Sequence, residues 1–127
     1  AADGTIYLGG YEEKMIAYNP ADGTEKWSYT AKGPIETVPA IDNDGNLYFG
    51  DLSGFFHVVN SDGLNPYKVV SLGTEIHSSA AIGADGTIYV AANDGEIGKI
   101  IALKTNATGL ATGGWPMFAK DSKHTGR

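Results

Sequence analysis

The chain has 127 residues, a formal net charge of −6 and no cysteine, with 18 glycines and 10% aromatic residues. The acidic balance, with charges scattered rather than clustered, argues against a nucleic-acid backbone or an anionic membrane surface as partner. Absence of cysteine removes disulfides, thiol chemistry and thiolate metal sites, and no apolar run approaches the length needed to cross a membrane as a helix.

In chain order, the first unit reads Asp3-Gly4-Thr5-Ile6-Tyr7, and the same string returns as Asp44-Gly45-Asn46-Leu47-Tyr48 and Asp85-Gly86-Thr87-Ile88-Tyr89, a constant interval of 41. A period of about 40 to 45 residues with short strands in each unit marks stacked four-stranded β-propeller blades. The runs Thr5 to Gly9, Asn46 to Gly50 and Thr87 to Ala91 are rich in β-branched and aromatic residues and follow Asp-Gly turns, as half-buried strands do. Gly9, Gly50 and Ala91 share one position, where a small residue lets a neighbouring blade approach closely. A next strand is expected over Met15 to Asn19, repeated as Phe56 to Asn60. A third version at Ile100 to Lys104 follows an insertion around Gly95 to Gly98. Asp22-Gly23 leads to Trp27 and Asp62-Gly63 to Tyr67, which places an outer strand after each turn. Inner strands are expected over Ile35 to Ile41 and Ile76 to Ile82, and the last outer strand over Gly114 to Phe118. No segment keeps a helical apolar period, so almost no helix is expected.

The predicted fold is therefore all-β: about three blades of four antiparallel strands over residues 1–113, then a tail over 114–127 packed on the last blade. Three blades cannot close a ring, since closed propellers use about four to eight. The expectation is a piece of a longer propeller, a homo-oligomer that completes the ring, or an open arc with exposed edges. The chain begins at Ala1 in mid-blade without Met or an apolar leader, which favours the first two, and any export signal is expected elsewhere.

The strings DGTIYLGG, MIAYNPADGTEKWSYT and PIETVPAIDNDGNLYFG resemble the bacterial and archaeal PQQ-like (quinoprotein-type) β-propeller repeat. Trp27 stands at the repeat's Trp and Pro39-Ala40-Ile41 at its Pro-Ala-Ile ending, while the second unit carries Tyr67 and Ala80 instead. Trp115 to Arg127 is similar to a W-P-x-F-x-x-D-x-x-x-T-G-R segment found at the ends of such propellers, so the resemblance implies a C-terminal portion. It also implies an extracytoplasmic protein of the periplasm or cell surface. It does not imply the cofactor: the quinone enzymes hold PQQ and calcium with a Glu, Asn, Asp and Arg set and often a cysteine pair, and none of these maps onto positions here.

Inner strands line a propeller's channel, so their opening residues are the candidate ligand contacts. Glu36 and His77 are equivalent across the period, with Thr37 and Ser78 beside them and Glu75 nearby, and together they could hold a cation, a sugar or a water network at the channel mouth. The plainer reading of these residues is a wet, polar channel. Asp42 to Asn46 is read as a hairpin rather than a calcium loop, because the Gly and Glu positions of an EF-hand are not met. Asn106-Ala107-Thr108 is a sequon by form only. His57 is placed on a middle strand, His77 at the channel and His124 in the tail, with no metal spacing among them, and Trp27 and Trp115 are read as packing residues. No catalytic, cofactor or metal set is assigned.

The functional expectation is a non-enzymatic binding or scaffolding module with a protein partner, or else a glycan. The alternatives are a fragment of a PQQ- or metal-dependent oxidoreductase and a surface glycan-binding module.

Overall fold

The structure, a computed structural model, describes residues 1–64, 66–73, 75–93, 97–113, 116–120 and 123, with the Tyr67 side chain left aside. Among the described residues every element is a strand: β1 (Ile6–Gly9), β2 (Lys14–Tyr18), β3 (Glu25–Thr30), β4 (Ala40–Ile41), β5 (Leu47–Gly50), β6 (Phe55–Val59), β7 (Pro66–Ser71), β8 (Ala81–Ile82), β9 (Thr87–Asn93) and β10 (Gly98–Lys104). They form three antiparallel sheets, β1-β2-β3, β4-β5-β6-β7 and β8-β9-β10, referred to as blades 1, 2 and 3. The period becomes register: Gly9 pairs with Met15 as Gly50 pairs with Phe56, and Tyr48 pairs with Ala40 as Tyr89 pairs with Ala81.

Tight turns connect the strands because the glycines supply positive φ: +84° at Gly4, +83° at Gly45 and +79° at Gly86. An aspartate stabilises each turn by accepting local bonds. Asp3 takes the N–H and hydroxyl of Thr5, and Asp85 those of Thr87. In the middle repeat Asp42 has this role. Its carboxylate accepts from the Asp44 and Asn46 N–H groups, the Asn46 side-chain amide and the Tyr48 hydroxyl. Those four donors fill the carboxylate's lone pairs, so the residues compared above with a calcium loop make a hydrogen-bonded hairpin.

Blade 2 is buried on both faces, and the pleat of β5 shows how. Leu47 and Phe49 point into a cluster with Met15 and Ile35 toward blade 1, while Tyr48 points the other way, into a cluster with Ile76, Ile88 and Val90. Blades 1 and 3 each keep an outward face, with Ile6, Leu8, Tyr89 and Ile100 exposed. Blades approach closely where a side chain is missing. A Cβ on Gly9 would lie 2.5 Å from Ile35 Cγ2, and one on Gly50 would lie 2.3 Å from Ile76 Cγ2.

Two expectations about strands need correction. The inner strands are two residues long, Ala40–Ile41 and Ala81–Ile82, not the whole of Ile35 to Ile41 and Ile76 to Ile82. Ahead of them the chain reaches its neighbour through side-chain hydroxyls, and Pro39 has no N–H to give a ladder. Nor do residues 116–118 form an outer strand for blade 3. Gly114 and Trp115 lie outside the described residues, as do His124 and Gly95. Pro116 instead lies on the edge of β4 away from β5, where its carbonyl accepts from Ile41 N–H (2.8 Å) and Ile41's carbonyl accepts from Ala111 N–H (2.9 Å). Met117 is buried in the cluster between blades 2 and 3.

Candidate functional site

The period places Glu36 and His77 in matching segments on adjacent blades, and the structure joins them. His77 Nδ1 lies 3.0 Å from Glu36 Oε2, and His77 Nε2 lies 3.1 Å from Glu75 Oε2. Tyr11, from the β1–β2 turn, donates its hydroxyl to Glu36 Oε1. The result is a surface chain of Tyr11, Glu36, His77 and Glu75 that ties blade 1 to blades 2 and 3.

An imidazole between two carboxylates is held protonated, since each ring N–H then has an anionic acceptor. The hydrogen bond to Glu75, then that to Glu36, raises the His77 pKa. Glu36 is lowered, first by the Tyr11 hydroxyl and then by His77, while Tyr11 is raised by the same bond to Glu36. The raised pKa makes the imidazolium a weaker acid than that of a free histidine, and Glu36 holds its charge more readily than a free carboxyl. The cluster presents fixed charge for recognition.

Of the five sequence candidates, Glu36, Glu75 and His77 come together, and Thr37 and Ser78 do not join them. Thr37 is buried, and its hydroxyl donates to the Gly50 carbonyl at 2.9 Å while accepting the Gly50 N–H at 3.2 Å. Ser78 makes the same pair of bonds to Ala91, both 2.8 Å. Ser79 Oγ is likewise engaged, accepting the Val38 N–H at 3.0 Å. The Thr37 and Ser78 hydroxyls bind the backbone of their own sheets, while Ser79 bridges to the backbone of the neighbouring blade.

Glu36 and His77 form one rim of a cleft of about 390 Å³. Its remaining wall is mostly apolar, made by Val38, Ala80, Ala81, Met117 and Phe118, with Ser79 among them. Val38 and Phe118 are 38% and 56% exposed, so the cleft offers an apolar surface beside a charged edge. Tyr11 and Phe118 are not among the sequence candidates for the site, and the sequence places Phe118 only at the end of an expected outer strand. Each sits in a turn outside the repeat, and only the fold brings it to the site.

A second polar network is internal. His57 and Asp51 are fully buried, with His57 Nε2 donating to Asp51 Oδ2 at 2.8 Å and the Tyr29 hydroxyl donating to His57 Nδ1 at 3.0 Å. Asp51 also accepts from the N–H groups of Lys32, Ser53 and Phe55. Burial lowers the His57 pKa despite the bonded carboxylate, so the ring is neutral with its proton on Nε2. Its Asp51–His57 pair is closed to solvent, and through Tyr29 the network ties blades 1 and 2 together. Among the described residues, no group of three His, Asp or Glu is arranged to hold a metal ion, and no helix is long and apolar enough to cross a membrane.

No protein-family profile matches the chain, and no curated protein matches it. Among solved structures, the chain is similar to the WD40 β-propeller domain of Doa1, with a TM-score of 0.70 and 13% identity. That likeness covers 82% of this chain and 34% of the other. It is also similar to a europium-containing methanol dehydrogenase, with a TM-score of 0.52 and 24% identity over 61% of this chain and 14% of that one. The chain thus spans about a third or less of the chains it resembles. At these identities the likeness shows the fold alone: the three sheets are blades of a β-propeller.

Proposed function

We propose that the protein is a non-enzymatic binding or scaffolding module of a larger extracytoplasmic propeller protein, and that it holds a protein partner at the cleft between blades 2 and 3. The observation that carries this reading is the joining of the Tyr11-Glu36-His77-Glu75 chain to an exposed apolar wall at Val38 and Phe118. Interfaces of this kind combine an apolar centre with a few oriented polar groups. Two carboxylates around one imidazolium leave the rim anionic, so the fitting partner element is a basic side chain next to an apolar one. Saturation of the nearby hydroxyls by backbone groups supports binding over catalysis. The resemblance to PQQ-like repeats supports the compartment.

The test compares the wild-type chain with a Glu36→Ala, Phe118→Ala double variant, both immobilised and exposed to envelope extract. A stoichiometric protein retained by the wild type and lost by the variant is the expected result. Equal retention by both, or none by either, defeats the proposal. A glycan-array hit abolished by the same variant would replace the protein partner with a sugar. PQQ added with calcium is expected to give neither a spectral change nor a thermal shift, and either response would favour the oxidoreductase alternative.

A further inference from the structure

Two histidines of this chain sit against carboxylates, and only one of them is free to leave. The His57 and Asp51 side chains are 0% exposed, so that ring is held by packing on every side. The His77 side chain is 53% exposed, with Glu36 at 33% and Glu75 at 64%, so its ring can turn out to solvent without opening the core. We propose that His77 is a placeholder for an arginine of the protein partner: on docking, the guanidinium takes over Glu36 and Glu75, the imidazole turns outward, and its proton passes to solvent. The exchange depends on the cleft between blades 2 and 3 holding a protein, as proposed above, and it names the side chain that enters and the condition that controls entry.

Three observations define the occupant. First, the place suits a flat cation with donors on two sides. His77 Nδ1 meets Glu36 Oε2 at 3.0 Å and Nε2 meets Glu75 Oε2 at 3.1 Å, one carboxylate on each side of the ring. A guanidinium carries its terminal N–H groups in one plane and on separate nitrogens, as the imidazolium does, and can serve both acceptors at once. A lysine ammonium is a compact point charge without that planar fork. Second, Glu36 is held in position. The Tyr11 hydroxyl donates to Oε1, which leaves Oε2 as the oxygen that changes partner. Third, Val38 and Phe118 line the same cleft as Glu36 and His77 and are 38% and 56% exposed, so the residue beside the arginine is aliphatic or aromatic.

Charge balance follows from the exchange. Before docking the rim holds two carboxylates and one imidazolium. Afterwards the arginine supplies the positive charge and repels an imidazolium beside it, so His77 gives up its proton, and no covalent bond changes. Among the described residues the groups acting on the ring are Glu75 from its own segment and Glu36 from blade 2, with Tyr11 of blade 1 bonded to Glu36. Both carboxylates hold the proton on His77 more firmly than a free histidine holds it, so displacement is harder at low pH. Affinity should therefore rise with pH, by at most about tenfold per unit, from about pH 6.5 to the raised value of the unliganded protein, and level off above it.

The experiment titrates the 127-residue chain with acetyl-Leu-Arg-Leu-amide, read by the His77 ring proton signals and by calorimetry in two buffers of different ionisation enthalpy. Near neutral pH the peptide should bind saturably, move the His77 signals to the position of the neutral ring and release protons. The same peptide with citrulline, a neutral isostere, in place of arginine should do neither, and a lysine peptide should bind more weakly. His77→Gln keeps both carboxylates and removes the competing cation, so it should bind the arginine peptide at least as tightly and with a level pH profile. Phe118→Ala should weaken binding without changing the proton count. The exchange is overturned by absence of saturable binding, by binding that leaves the His77 signals unmoved, by equal uptake of the citrulline peptide, or by a His77→Gln profile that still rises with pH. A protein retained from envelope extract while the peptide leaves His77 unmoved would spare the cleft and sink the exchange. Peptide exchange with nothing retained from extract would do the reverse.

Discussion

The hydroxyl of Thr37 does for Gly50 what a neighbouring strand would do: it donates to the carbonyl at 2.9 Å and accepts from the N–H at 3.2 Å. Thr37→Val keeps the shape and removes both bonds, leaving two backbone groups unmatched in a buried setting. The expected cost is about 1–3 kcal/mol, seen as a lower urea midpoint at unchanged m-value, with Thr37→Ser close to wild type. Ser78→Ala should cost less, since water can reach the more exposed Ala91.

Burial lowers the pKa of His57, so the folded state binds its proton less readily than the unfolded chain does. Stability should therefore be unaffected by this group above about pH 6.5 and should fall as the pH drops from there toward the folded pKa. Denaturant titrations at stepped pH test this, and His57→Gln should flatten the acid limb. A wild-type profile that rises on acidification through this range would contradict the neutral, Nε2-protonated ring.

For His77 the sign reverses. Its folded pKa is raised by Glu75 and Glu36, so its contribution is full below about pH 6.5 and is lost as the pH rises through the folded value. The group is exposed and screened by salt, which makes proton NMR titration the suitable measurement. The His77 ring signals should titrate above those of a model histidine, and Glu36→Gln should move the midpoint down. Unmoved signals in that variant would mean the contact does not form in solution.

Gly50→Ala should be among the most damaging small substitutions in the chain. Its new Cβ would lie 2.3 Å from Ile76 Cγ2 and 2.7 Å from Ile76 Cβ, and a β-branched side chain has little freedom to turn aside. Overpacking of this kind costs about 1–3 kcal/mol. Pairing it with Ile76→Ala should recover part of the loss, so that the double variant is less destabilised than the two single changes predict. Strict additivity would show that the two positions do not meet.

The blade architecture was legible in the chain because a 41-residue period repeats turn chemistry as well as apolar pattern: Asp and Gly supply the same φ-positive corner each time, whatever surrounds them. The same arithmetic aligned Glu36 with His77. It could not tell that Thr37 and Ser78, one residue further on, turn away from them to bind backbone. Alternation indicates a face, and a short hydroxyl can satisfy a sheet edge or a ligand equally well.

Local chemistry thus determined the strands, the hairpins and the equivalence of positions, since each depends on neighbours within a few residues. Only the tertiary structure decided what those positions meet. It brought Tyr11 to Glu36 across 25 residues and set Pro116 against Ile41 of β4. These contacts depend on how rigid blades stack, and blade packing is set by summed surface complementarity, which no single residue or spacing encodes.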